Sequence, residues 1–111
     1  MKTASVAELA RELIDRAAES PHGRTTEILH GGSGHTLRQM VIALTAGQEL
    51  SEHENPGEAT LFVIIGKVQL NTEGAAAEMG EGDFLIVPHE RHSLDALEDS
   101  AVLLTTAINQ Y

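Results

Sequence analysis

The side chains best suited to acid–base or metal chemistry in this chain are its 6 histidines, and it has no cysteine to assist them. A neutral imidazole binds zinc, nickel, copper or iron and titrates near neutral pH. Thiolate zinc sites, disulfides and cysteine nucleophiles are excluded. No G-x-S-x-G elbow sets up a serine nucleophile either. Three histidines fall in segments with ordered glycine spacing. Gly47 to Gly66 reads G-x5-H-x-N-x3-A-x6-G, placing His53, Asn55 and Ala59 at fixed separations. Gly82 to Pro88 reads G-D-F-L-I-V-P, and His89 and His92 follow it. His22, His30 and His35 read more simply as loop or surface residues, with His35 near enough to a strand start to reach one end of a barrel.

The first segment resembles the first motif of the cupin superfamily, G-x5-H-x-H-x3-E-x6-G, in every spacing. His53 stands at the first histidine, while Asn55 and Ala59 replace the second histidine and the glutamate. The second segment resembles the start of the second cupin motif. Its P-x-G-x2-H pattern, begun at Pro88, puts Glu90 at the glycine and Ser93 at the histidine, so His92 falls one residue early. A loop shorter by one residue returns His92 to the ligand place, and His89 competes for it. Small bacterial cupins share H-E-x-P-G-E-A-T-L and H-S-L-[DE]-A-L-E-D-S-A-V-L-L-T, here His53 to Leu61 and His92 to Thr105. That likeness treats Asn55 and Ala59 as features of a subgroup. It implies an all-β jelly-roll cupin barrel with one N-terminal amphipathic helix, and a homodimer.

Alternation of side chains along a strand then orders the candidate site. With His53 pointing inward, Asn55, Ala59, Leu61, Val63 and Ile65 do the same. Phe62 and Ile64 face outward and need cover from the helix or a partner. Glu58 points away from the cavity unless a bulge turns it in. The candidate ligand-binding residues are His53, Asn55 and His92. Candidate metal ligands are His53 and His92, with His89 behind them, for one divalent ion such as zinc, nickel or iron. A metal site wants three protein ligands, and carboxylate helps to neutralise the ion. The competing reading makes the histidines polar groups hydrogen-bonded to each other, to Asn55 or to water.

These residues must be positioned by one core, since 111 residues suit a single domain. Residues 5–19 carry an apolar stripe from Val6 to Ala17 at helical spacing, with Ser5 and Glu8 as a capping box. Residues 1–24 are read as helix and linker, and 25–111 as the barrel. Beyond Thr25, β-rich runs alternate with turn signals, and strands are expected near 25–30, 35–46, 48–53, 59–65, 67–72, 75–79, 83–87, 92–97 and 100–108. Met40 to Leu44, Leu61 to Ile65 and Ala101 to Leu104 are apolar on both faces, so something must cover the outside.

A formal charge of −10 repels phosphate backbones and anionic headgroups, which argues against direct nucleic-acid or membrane binding. No apolar run is long enough to span a bilayer, and the N-terminus is not a signal peptide. A cytoplasmic location is the expectation. The function expected is binding of a small molecule or metal ion in the barrel, as a sensor, carrier or accessory protein. The alternative is a metal-dependent enzyme acting on a small organic acid or carbonyl compound. A dioxygenase lacks its carboxylate at Ala59, and a sugar epimerase would want aromatic stacking, for which only Phe62, Phe84 and Tyr111 are available.

Overall fold

The structure, a computed structural model, describes residues 1–53 and 57–107, with Glu52 and His53 described in their backbone only. It opens with α1 (Val6–Glu19), capped where the Ser5 hydroxyl accepts a hydrogen bond from the Glu8 backbone N–H at 3.3 Å. The helix ends at Ser20, and Gly23, at φ 64°, turns the chain into the first strand. A Cβ at Gly23 would collide with the Thr45 hydroxyl 2.5 Å away, so glycine is needed there for space as well as for backbone angle.

Strands β1 (Arg24–His30), β2 (Leu37–Leu44) and β3 (Glu49–His53) follow, then β4 (Glu58–Ile65) and β5 (Lys67–Thr72). The last four are β6 (Ala76–Gly80), β7 (Phe84–Ile86), β8 (His92–Ala96) and β9 (Ser100–Ala107). Each lies within a few residues of a strand expected from the sequence. They form a five-stranded sheet ordered β1-β2-β9-β4-β7 and a four-stranded sheet ordered β3-β8-β5-β6. All the pairings are antiparallel, the arrangement of a jelly roll.

The core between the sheets takes one parity from each strand. Ile42 and Leu44 enter from β2, Ala59, Leu61 and Val63 from β4, Val68 and Leu70 from β5, Leu94 and Ala96 from β8, and Val102 from β9. The opposite parity builds a second apolar layer. Ala10, Leu13 and Ala17 of α1 pack on Val41, Ala43 and Ala101, with Ile64 and Leu103 beside them. The Thr25 hydroxyl donates to the Leu13 carbonyl at 2.9 Å and ties the helix to β1. Two-sided apolar strands therefore have a two-sided explanation: barrel inside, helix outside.

One expectation needs correction. The β4–β9 register shifts between Val63 and Ile65, so Ile65 joins Ile64 in the layer under the helix instead of following Val63 into the barrel. Such a break resets the alternation. Gly66 then turns at φ 91°, where a Cβ would strike the Asp99 carbonyl and the Ser100 hydroxyl. That buried hydroxyl accepts from the Lys67 N–H at 3.0 Å and lies 2.7 Å from the Glu98 carbonyl, fastening the turn to β9. Phe62, for which the sequence asks cover from helix or partner, lies outside the layer under the helix. It is 39% exposed, beside Phe84 at 57% and Ile86 at 74%.

The helix layer predicts a clear contrast in stability. Leu13→Ala should cost about 2–5 kcal/mol, since it empties a fully buried site. Ile28→Ala, at a half-exposed position, should stay within about 0.5 kcal/mol. Urea denaturation of both variants measures the difference, and a neutral Leu13→Ala would mean that α1 does not seal the sheet.

Candidate functional site

The end of the barrel is organised by the pairing of β3, β8 and β5. His53, the last residue of β3, is the backbone partner of His92, the first residue of β8, and Thr72 pairs with His92 from the other side. Alternation along β8 puts His92 on the same face as Leu94 and Ala96, both buried in the barrel core. His92 is accordingly 5% exposed. Its Nδ1 lies 2.9 Å from the Glu90 carbonyl, and with the proton assigned to Nδ1 the ring donates to that oxygen. This bond fixes the ring plane from within its own loop.

Around His92 the wall is apolar. It shares a cavity of about 30 Å³ with Ile42, Leu61, Leu70, Val87 and Leu94. That volume holds roughly one or two waters and no organic ligand. Leu70 also lines a larger groove of about 360 Å³, bounded by the β5–β6 turn at Thr72 and Ala75 and by Leu85, Pro88 and Glu90 from the β7–β8 side. The two spaces meet at Leu70 and flank the Glu90–His92 loop.

The other candidates fall in different places. The backbone of His53 is adjacent to His92, while its side chain lies outside the described residues, as does Asn55 entirely. His89 is exposed on the β7–β8 loop, whereas His92 is buried. Ala59 is 2% exposed and fills the core position where the cupin motif has glutamate. Glu58 is exposed at the sheet end, in a shallow surface depression with Thr60 and Thr105, consistent with the alternation expected of it. Thr72, Leu70 and the Glu90 carbonyl were not singled out from sequence. Only the strand register brings them to His92, and no local motif encodes it.

Among the described residues the donors near His92 fall short of a metal site. Among the described residues no group of three or more histidine and carboxylate side chains could hold an ion. Ala59 supplies a methyl where a carboxylate would be required. The cations with raised pKa are elsewhere: Arg16 is held up by its hydrogen bond and charge pairing with Glu12, and Lys67 likewise by Glu78. Both are exposed ion pairs, and Lys67 begins β5 at the opposite end from Thr72. Among the described residues no helix is long and apolar enough to cross a membrane.

No family model matches the chain, and no curated protein does. Solved structures match well. A cupin superfamily protein from Desulfitobacterium hafniense superposes with a TM-score of 0.79 at 17% identity, over 97% of this chain and 92% of that one. An RmlC-like cupin from Desulfovibrio desulfuricans gives 0.74 at 26% identity, over 96% of each. The DMSP lyase DddQ from Ruegeria pomeroyi gives 0.68 at 21% identity, over 78% of this chain and 48% of that one. Such neighbours include an enzyme alongside proteins with no stated reaction, so the fold does not carry a reaction with it. Two antiparallel sheets in jelly-roll order, one N-terminal helix and these likenesses give the chain the fold of a small cupin domain.

Proposed function

We propose that this cupin binds a small, mostly apolar molecule at the His92 end of the barrel, and that His92 hydrogen-bonds its one polar group. The observation carrying the proposal is a buried imidazole whose described cavity neighbours are aliphatic side chains. Burying a polar group in such a place is costly unless it makes hydrogen bonds, and barrel cores are ordinarily filled by apolar chains. The adjoining groove supplies the volume that the inner cavity lacks. Aliphatic lining on the groove floor and the His92 imidazole at its inner edge suit a short carboxylic acid or carbonyl compound. The role proposed is one of binding, as a sensor, carrier or accessory domain.

Melting temperature can be read for a panel of short carboxylates, aldehydes, ketones and alcohols, because a ligand that binds only the folded chain raises it by mass action. At least one class should stabilise the native protein. Leu70→Trp, which blocks the junction of groove and cavity, should abolish that shift. The reading fails if no class stabilises the native protein at millimolar concentration, or if Leu70→Trp responds like the native chain.

A second copy of the chain is the proposed cover for Phe62, Phe84 and Ile86. Phe62 pairs with Phe84 across β4 and β7, and Thr60 with Ile86, so the three side chains share one face continuous with the layer under α1. An apolar, uncharged patch is self-complementary about a two-fold axis even on a chain of charge −10. Sedimentation at micromolar concentration should show a dimer that Phe84→Asp converts to monomer. A monomeric native protein contradicts the interface.

A further inference from the structure

We propose that the β1–β2 turn is a two-histidine site for a late first-row divalent cation, with copper(II) bound most tightly. His30 closes β1, and the sequence His30-Gly31-Gly32-Ser33-Gly34-His35 returns a second imidazole beside it. The ring centroids are 4.8 Å apart, with the ring planes at 61°. With a metal–nitrogen bond of about 2.0–2.1 Å, each ring centre sits about 3.2 Å from the ion, so two rings on one ion have centres about 4.5 Å apart at a right angle and about 5.2 Å apart at a tetrahedral angle. The observed separation falls between those limits. Both residues are exposed, so their side-chain torsions can turn to aim the ring nitrogens toward a shared ion.

The turn holds this spacing through its backbone. The His35 N–H donates to the Gly32 carbonyl at 3.1 Å, closing a tight turn. Gly31, Gly32 and Gly34 have φ of 135°, 106° and 87°, values that other residues rarely adopt. At Gly31 a Cβ would also lie 2.8 Å from the Arg38 side chain. A ligand pair already at the right distance loses less freedom on binding. The net charge of −10 raises the local concentration of cations around the molecule. Water completes the coordination, and imidazole ligands favour copper over nickel and zinc by the usual order of divalent affinities. This site is independent of the barrel reading, since neither histidine belongs to the His92 wall.

The test is titration of the tag-free full chain with copper(II) chloride, followed by calorimetry and electron paramagnetic resonance. Native protein should bind one ion per chain at micromolar concentration with two imidazole nitrogens. His92→Leu should keep that ion, while His30→Ala and His35→Ala should each lose the two-nitrogen signature and the double variant all binding. Circular dichroism melts establish that the variants remain folded, as expected for substitutions at an exposed turn. The proposal is overturned if native protein binds no copper in this range, or if binding survives in the double variant.

Discussion

A strand has two faces, and the central strands of this molecule are apolar on both. That constraint governs the architecture. In β2, β4 and β9 one parity of side chains fills the space between the sheets, and the other must be taken out of water by something else. Fourteen residues of helix do this for β1, β2 and β9, through the small side chains Ala10 and Ala17 that let α1 sit close to Ala43 and Ala101. The cover stops short of β7. Exposure rises from Phe62 to Phe84 to Ile86, in the direction away from the helix, and this gradient marks the face proposed to receive a second copy.

By contrast, the outer face of the other sheet is polar and needs no cover. Asn71 of β5 donates to Asp95 of β8 at 2.9 Å, and Gln69 donates to Asn71 at 2.8 Å. Polar outward and apolar inward alternate along β8 from Ser93 to Ala96. His92 is the exception to that pattern, an imidazole on the apolar side. One partner of the ring is the Glu90 carbonyl of its own loop.

Much of this was legible in the chain itself. Periodicity located the helix and nine strands, and Ser5 with Glu8 marked the helix start because capping is a local hydrogen bond. The two glycine-spaced segments identified the fold and put His53 beside His92. Ile65 was misplaced because a register break leaves no signature in alternation, which is a rule about unbroken ladders. Whether helix or partner covers Phe62 was not legible, because a sequence shows that a face is apolar without showing how far a helix extends over it. The choice between His89 and His92 is likewise a question of loop length, and here His92 opens the strand with inward parity while His89 stays on the loop.

The central claim is that His92 is kept in an apolar wall for recognition and not for stability. Replacing it with leucine completes that wall, and the Glu90 carbonyl, in an exposed residue, can turn to water. Equilibrium denaturation of His92→Leu, paired with the ligand-induced shift in melting temperature, separates the two roles most directly. The account predicts a variant within about 1 kcal/mol of the native protein, or more stable, that has lost its response to ligand. A loss of more than about 2 kcal/mol with ligand response intact would contradict it, and would make His92 a structural residue of the barrel.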